Sequence, residues 1–307
     1  MRRCRTIGTI RNGILEPHVP IVAFERFGRQ IWQIAISKGT EIRHHGTMKE
    51  DEIRQHVRLV ANHLGIRVED IPESHREKRP DFEFFCDDEC SLVELKSREK
   101  EWNLSAEEIS HSQSGGIVER SSRLSEHPTI SGTIDDAVRQ LATYQSARHS
   151  FRIVWYCAYG VFRHVVDEQI DSTFLGDVTI HEGNFLRSWR AYFFNYNKFF
   201  KHRQFLDAAV VSQFSPEHAS AQLVVNPLSE RYDALRASRL YNRFSAGILD
   251  PLLEEKKGEG VILGGDADRS SERTKLQYLA NRYKIENPFI LPMGHYAVMA
   301  GVPKPSA

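Results

Sequence analysis

Between residues 48 and 64, Ile53, Val57, Val60, Ala61 and Leu64 recur at three- and four-residue spacing, which predicts a helix with one buried face. Thr47-Met48-Lys49-Glu50 ahead of them has the form of a capping box, and Gly65 behind them suits a C-terminal cap. The period then changes. Arg67–Ile71 reads as a short strand, and Asp81–Cys86 and Ser91–Lys96 read as two strands joined by an acidic turn. Ile134, Val138, Leu141 and Ala142 return to helical spacing, with Thr133 as N-cap and an acid at the third helical position. Phe151–Ala158 is a strongly β-prone run and reads as a central strand. The order is helix, strand, strand, strand, helix, strand.

On either side of this block the pattern is looser. Residues 1–46 read as short strands, Ile31–Ile36 being the clearest, and form an N-terminal β-rich extension. Residues 97–132 are polar, with a Gly115-Gly116 pair, and read as a long flexible insertion with a short helix near Ser105–Ser110. Beyond residue 160, Phe174–Ile180, Leu206–Val211 and Gln222–Asn226 are strand-like. Leu186–Phe205 reads as an aromatic-rich helix or helix pair, Tyr232–Arg243 and Ser271–Tyr283 as helices, and Lys256–Gly265 as a charged loop. The expected organisation is therefore an extension (1–46), a core (47–160) and an α/β region (161–307). That last region is suited to substrate recognition and could equally pack as one domain with the core.

Composition narrows the function classes. Lys plus Arg and Asp plus Glu each number 41 in 307 residues, so the chain does not coat nucleic acid through bulk charge; a local basic groove stays open. The N-terminus has no signal-like apolar core and no apolar run is long enough to span a bilayer, so a cytoplasmic setting without membrane contact is expected. The four cysteines lack the paired spacing of a zinc or iron–sulfur set and read as free thiols. There is no Gly-Lys-Ser/Thr phosphate loop, no nucleophile elbow and no dinucleotide turn; Gly264-Gly265-Asp266 reads as a turn.

The candidate chemistry lies in Pro80-Asp81 and Glu94-Leu95-Lys96. Side chains alternate along a strand, so Glu94 and Lys96 share one face while Val93 and Leu95 point the other way. Asp81 and Glu83 likewise oppose Phe82 and Phe84. An antiparallel pairing presents Asp81, Glu94 and Lys96 together. Burying three charges is unfavourable unless they are compensated, and Mg2+ (or Mn2+ in its place) offsets the carboxylates through oxygen ligands. The Leu95 carbonyl is a natural further ligand, and Lys96 can orient a water or neutralise charge developing on phosphorus. Glu83 reads as a solvated strand residue.

Asp81 with Glu94-Leu95-Lys96 resembles the signature of the PD-(D/E)XK nuclease superfamily. Its restriction-endonuclease-like core is a mixed central sheet flanked by helices in the order αβββαβ, here followed by a long C-terminal elaboration. Gln140 and Tyr144, one helical turn apart, look like the QxxxY element of the RecB-like and lambda-exonuclease-like branches. The resemblance covers residues 47–160. It implies a metal-dependent phosphodiester hydrolase, with DNA expected ahead of RNA as substrate, in restriction or antiviral defence, mobile-element processing or repair. It implies Asp81, Glu94, Lys96, Gln140 and Tyr144 as active-site residues, and Asp81, Glu94, Leu95 and a first-helix acid as metal ligands. Glu52 is the best placed acid, with Glu50 next, because the capping box engages Glu50. The cysteine set of the iron–sulfur members is absent.

Rival readings share this fold: an RNA-directed nuclease, or a non-cleaving nucleic-acid-binding or interaction protein. Protein partners or a homodimer remain open. His56, one turn after Glu52, would favour Mn2+ and RNA as in cap-snatching nucleases, but with 14 histidines chance proximity explains it better, and His44-His45 likewise. The basic, aromatic stretch from Arg187 to Arg203 could stack bases, though its spacing fits core packing with a basic outer face better.

Overall fold

The computed structural model describes residues 21–26, 29–35, 49–99 except 73 and 75–77, 107, 108, 110, 118–160 except 145–147, 162–214 except 184–186, and 218–301 except 292–295. Helix α1 (Glu50–His63) buries Ile53, Val57, Val60 and Ala61, the spacing noted above. Gly65 follows it at φ 71°, the left-handed conformation that closes a helix C-terminus. The cap differs from expectation. Lys49 precedes the helix, and the Glu52 carboxylate accepts the Lys49 amide at 3.0 Å, so the capping acid is Glu52 and not Glu50. Thr47 lies outside the described residues.

Strands β1 (Ile21–Arg26) and β2 (Arg29–Ala35) come before α1, and β3 (Arg67–Asp70), β4 (Phe82–Cys86) and β5 (Glu89–Glu99) come after it. Next are β6 (Val118–Arg123), α2 (Pro128–Thr143), β7 (Phe151–Tyr159) and α3 (Arg163–Leu175). The remainder holds β8 (Val178–His181), β9 (Ser188–Tyr192), α4 (Lys198–Lys201), β10 (Ala208–Phe214) and β11 (His218–Val225). It continues with α5 (Tyr232–Ala237), α6 (Arg239–Arg243), β12 (Ile248–Leu249), α7 (Pro251–Lys257), β13 (Gly260–Ile262), α8 (Glu272–Tyr283) and β14 (Tyr296–Gly301).

The fold is mixed α/β. A nine-stranded sheet runs β1-β2-β11-β10-β7-β5-β4-β3, with β12 beside β11. Strands β3, β4 and β5 form an antiparallel meander; β5 pairs β7, and β7 pairs β10, in parallel. Strands from the expected extension, core and C-terminal region therefore share one sheet. Central β7 sends Ile153, Trp155 and Cys157 into the core beneath α1, and Val154, Tyr156 and Ala158 into the core beneath α2 and α3. This double coverage is why its sequence is continuously apolar. A smaller sheet, β13-β9-β8, packs with α8 around Ile180, Ala191, Val261 and Leu279.

Several expected elements differ. Helix α2 begins at Pro128, ahead of Thr133, because His127 caps it by accepting the Thr129 amide and proline suits the first turn. The Thr133 hydroxyl instead bonds the Thr129 carbonyl inside the helix. Part of 97–132 is ordered: β5 extends to Glu99, and β6 pairs β14. Phe174 ends a helix and does not begin a strand. Leu186–Phe205 is not helical throughout: its described part is β9, a turn and the short α4. Tyr192, Phe193, Phe194 and Phe199 are buried, while Tyr196 and Phe200 are exposed. Lys198, Lys201 and His202 of this stretch all donate to Asp135 of α2, at 2.9, 2.8 and 2.6 Å, so part of its positive charge is engaged within the fold. Tyr232–Arg243 is two helices, split where Ser238 caps the second. Lys256–Gly265 is the end of α7 followed by β13.

Gly176 terminates α3 at φ 58°, and a Cβ there would lie 2.4 Å from the Asn195 carbonyl oxygen. Gly176→Ala is expected to destabilise the fold by about 2–4 kcal/mol, from the left-handed backbone and the clash together. The measurement is a lower urea midpoint at unchanged slope.

Candidate active site

The hairpin register builds the site. Phe82 pairs Val93, and the Asp81 amide donates to the Val93 carbonyl at 3.1 Å, so Asp81 stands one step further along, opposite Glu94. Buried Pro80 precedes this ladder, where no backbone donor is needed. The Asp81 carboxylate is held by its neighbours: one oxygen accepts the Leu95 amide at 2.8 Å and the other accepts the Arg54 guanidinium of α1. Arg54 also faces Asp70 and Glu50, and its guanidinium lies over the Phe82 ring.

Glu94 is 1% exposed. Its Oε1 accepts the Lys96 ammonium, while its Oε2 is buried with no hydrogen-bond partner. Burial pushes the Glu94 carboxyl up to about 8; the charge of the facing Asp81 carboxylate adds to the rise, and Lys96 opposes it. Two carboxyl groups thus face each other across the hairpin, and one buried oxygen makes no hydrogen bond. An oxygen-seeking divalent cation fits these donors, because it supplies the charge that burial makes unfavourable and a partner for the orphan oxygen. Asp81 and Glu94 are the carboxylates that could hold Mg2+ or Mn2+ here, and Leu95, the expected carbonyl ligand, lines the same cavity.

A cavity of about 440 Å³ opens over these groups, lined by Glu50, Ile53, Asp81, Glu94, Leu95, Lys96, Ser97, Gln140 and Tyr159. Of the sequence-derived set, Asp81, Glu94, Leu95, Lys96 and Gln140 come together. Glu52 does not line this cavity; it is exposed and caps α1. Glu50 lines it instead, one turn before Arg54 on the same helix face. Tyr144 does not line it either, because α2 ends at Thr143 and Tyr144 adopts extended backbone. It borders an adjoining cavity of about 470 Å³ with Lys78, Asp136, Arg139, Gln140 and Thr143, so Gln140 belongs to both.

Arg54, Ser97 and Tyr159 carry no signal in the hairpin motif. Arg54 is legible only as an arginine one turn after Glu50. Glu83, read as solvated, is buried at 5% exposure and paired with Arg148 and His149. His56 stacks on Phe214 with ring centroids 4.6 Å apart and does not line the cavity. Burial lowers its pKa, as for a core histidine. His44 and His45 lie outside the described residues.

Among the described residues no helix is long and apolar enough to cross a membrane. Comparison with protein-family models, with curated proteins and with solved structures finds no match.

Proposed function

We propose that the chain is a metal-dependent nuclease of the PD-(D/E)XK type. It hydrolyses phosphodiester bonds of DNA in the cytoplasm, in defence, mobile-element processing or repair. The observation that carries this reading is the unpartnered, buried Glu94 Oε2 facing Asp81 in a cavity that also holds Lys96. The order α1, β3, β4, β5, α2, β7, interrupted by β6 of a separate two-stranded sheet, with β3-β4-β5 antiparallel and β7 parallel to β5, supports a restriction-endonuclease-like core.

When bound, Mg2+ supplies positive charge that offsets the carboxylates and polarises the scissile phosphate. Asp81 and Glu94 would hold the ion, and the Leu95 amide and Arg54 keep Asp81 in place. Lys96, tied to Glu94, sets a fixed positive charge beside the reacting phosphate and can orient the attacking water. Gln140 sits where the two cavities meet and can position the strand running between them. Glu50 adds a third acid at the rim.

The test is incubation of the full chain with labelled DNA and labelled RNA, each with Mg2+, Mn2+ or a chelator. DNA cleavage that the chelator abolishes is expected. Cleavage persisting in both Asp81→Asn and Lys96→Ala would sink the site assignment, and binding without cleavage would favour a non-cleaving interaction protein. Glu50 and Glu52 separate in a second experiment. Glu50→Gln should lower cleavage at limiting Mg2+ by about tenfold, through a lost charge at the cavity. Glu52→Ala should leave cleavage unchanged and lower stability by about 0.5–1 kcal/mol through the lost cap.

A further inference from the structure

A second group of ligand-bearing side chains lies outside the candidate active site. Glu83 of β4, Cys90 of β5 and His149, just before β7, each offer a ligand atom, and these atoms lie within 4.8 Å of one another. The sheet brings them together. Cys90 faces Phe85 across the hairpin, two residues from Glu83, and the Ser150 amide donates to the Cys90 carbonyl at 2.8 Å, which lays His149 alongside. Glu83 and Cys90 are buried, and the His149 side chain is 3% exposed. One imidazole nitrogen lies 2.6 Å from Glu83 Oε1, and the other, Nδ1, is buried without a partner. A buried carboxylate, thiol and imidazole with their ligand atoms this close form a mixed oxygen, sulfur and nitrogen donor set of the kind that borderline transition metals prefer.

We propose that Glu83, Cys90 and His149 form a metal site for Zn2+, chemically distinct from the oxygen-only site at Asp81 and Glu94. Thiolate and imidazole donors select a borderline ion over Mg2+. Tetrahedral Zn2+ bonds of about 2.0–2.3 Å require ligand atoms about 3.3–3.8 Å apart, so movements on the order of 1 Å complete the set. Arg148 donates to Glu83 with its own side chain 60% exposed; the ion would take over this contact on Glu83, with water in the fourth position. Binding forms a sulfur–zinc bond and releases the Cys90 thiol proton to solvent. The ion would fasten the β4–β5 hairpin to the start of β7, beside Tyr144, whose ring lies 5.8 Å from that of His149. The inference does not depend on the nuclease reading.

The experiment titrates the full chain, stripped with chelator, with Zn2+ by calorimetry and with Co2+ by absorption, in an Asp81→Asn background that weakens the first site. One equivalent of Zn2+ and a thiolate-to-cobalt charge-transfer band are expected, unaffected by excess Mg2+. Cys90→Ser should remove the band and weaken Zn2+ binding by at least about tenfold, whereas Cys86→Ser, altered on the opposite sheet face, should retain both. Glu83→Gln serves as the second variant should Cys90→Ser fail to fold, and should weaken Zn2+ by a similar factor. Absence of the band in the parent chain, or its persistence in Cys90→Ser, overturns the proposal.

Discussion

Asp81→Asn is expected to lower metal-dependent DNA cleavage by about 10³-fold or more while leaving the chain folded. The substitution keeps an oxygen able to accept the Leu95 amide at the position now 2.8 Å away, so the hairpin end retains its tie. It removes one of the two facing negative charges that a cation needs. Asp81→Ala would lose the Leu95 and Arg54 contacts as well, mixing a structural effect with a chemical one. Lys96→Ala should fall short of that loss, by about 10²-fold, because a positioned charge is removed but the metal ligands remain. Single-turnover cleavage at saturating Mg2+ reads these effects, with circular dichroism confirming the fold. Equal rates in wild type and Asp81→Asn would remove the carboxylate pair from the mechanism.

Glu94→Gln should abolish cleavage and yet stabilise the metal-free protein, increasingly so as pH rises. The folded chain holds the Glu94 proton up to about pH 8, whereas the unfolded chain releases it near the ordinary glutamate value of 4.5. Between these values the folded state binds more protons, so raising the pH weakens folding; below 4.5 this contribution is complete, and it is lost as pH passes through about 8. The limiting slope is about 1.4 kcal/mol per pH unit. Glutamine keeps the shape without the ionisable proton, so the stability difference between variant and wild type should widen from pH 5 to pH 8. Mg2+ should narrow it again, because a cation stabilises only the ionised wild-type pair. Urea unfolding of both proteins across this range, with chelator and with Mg2+, reads the difference. Parallel curves without metal would show that Glu94 does not carry its proton into neutral pH.

Much of the core was legible because its signals are local. The spacing of Ile53, Val57 and Val60 predicts α1, and the alternation around Glu94 predicts which residues share a face; both depend only on backbone geometry over a few residues. Gln140 comes from the resemblance to the QxxxY element, and it lines the cavity. Tyr144 was misplaced because the QxxxY spacing assumes a helix continuing through it, whereas α2 stops at Thr143. Glu52 caps the helix and Glu50 lines the cavity because the cap is Lys49 and not Thr47, and a two-residue shift turns the expected faces by about 200°. Arg54, Ser97 and Tyr159 were missed because their part in the cavity depends on packing between elements distant in the chain.

Local spacing is enough to read the helix–strand order of the core, the central place of β7 and the opposition of acids to apolar residues on the hairpin. Local periodicity carries that information. Tertiary structure alone decided which strands complete the sheet, since β10, β11 and the N-terminal pair join it through contacts far apart in sequence. It also decided the fate of Glu83, which alternation places on a face without saying what covers that face. The parallel pairing of β5 with β7 brings His149 and Arg148 to Glu83 and turns a solvated strand acid into a buried member of a Glu-Cys-His cluster. A side chain's face is set by its own backbone; its burial and partners are set by whatever packs against it.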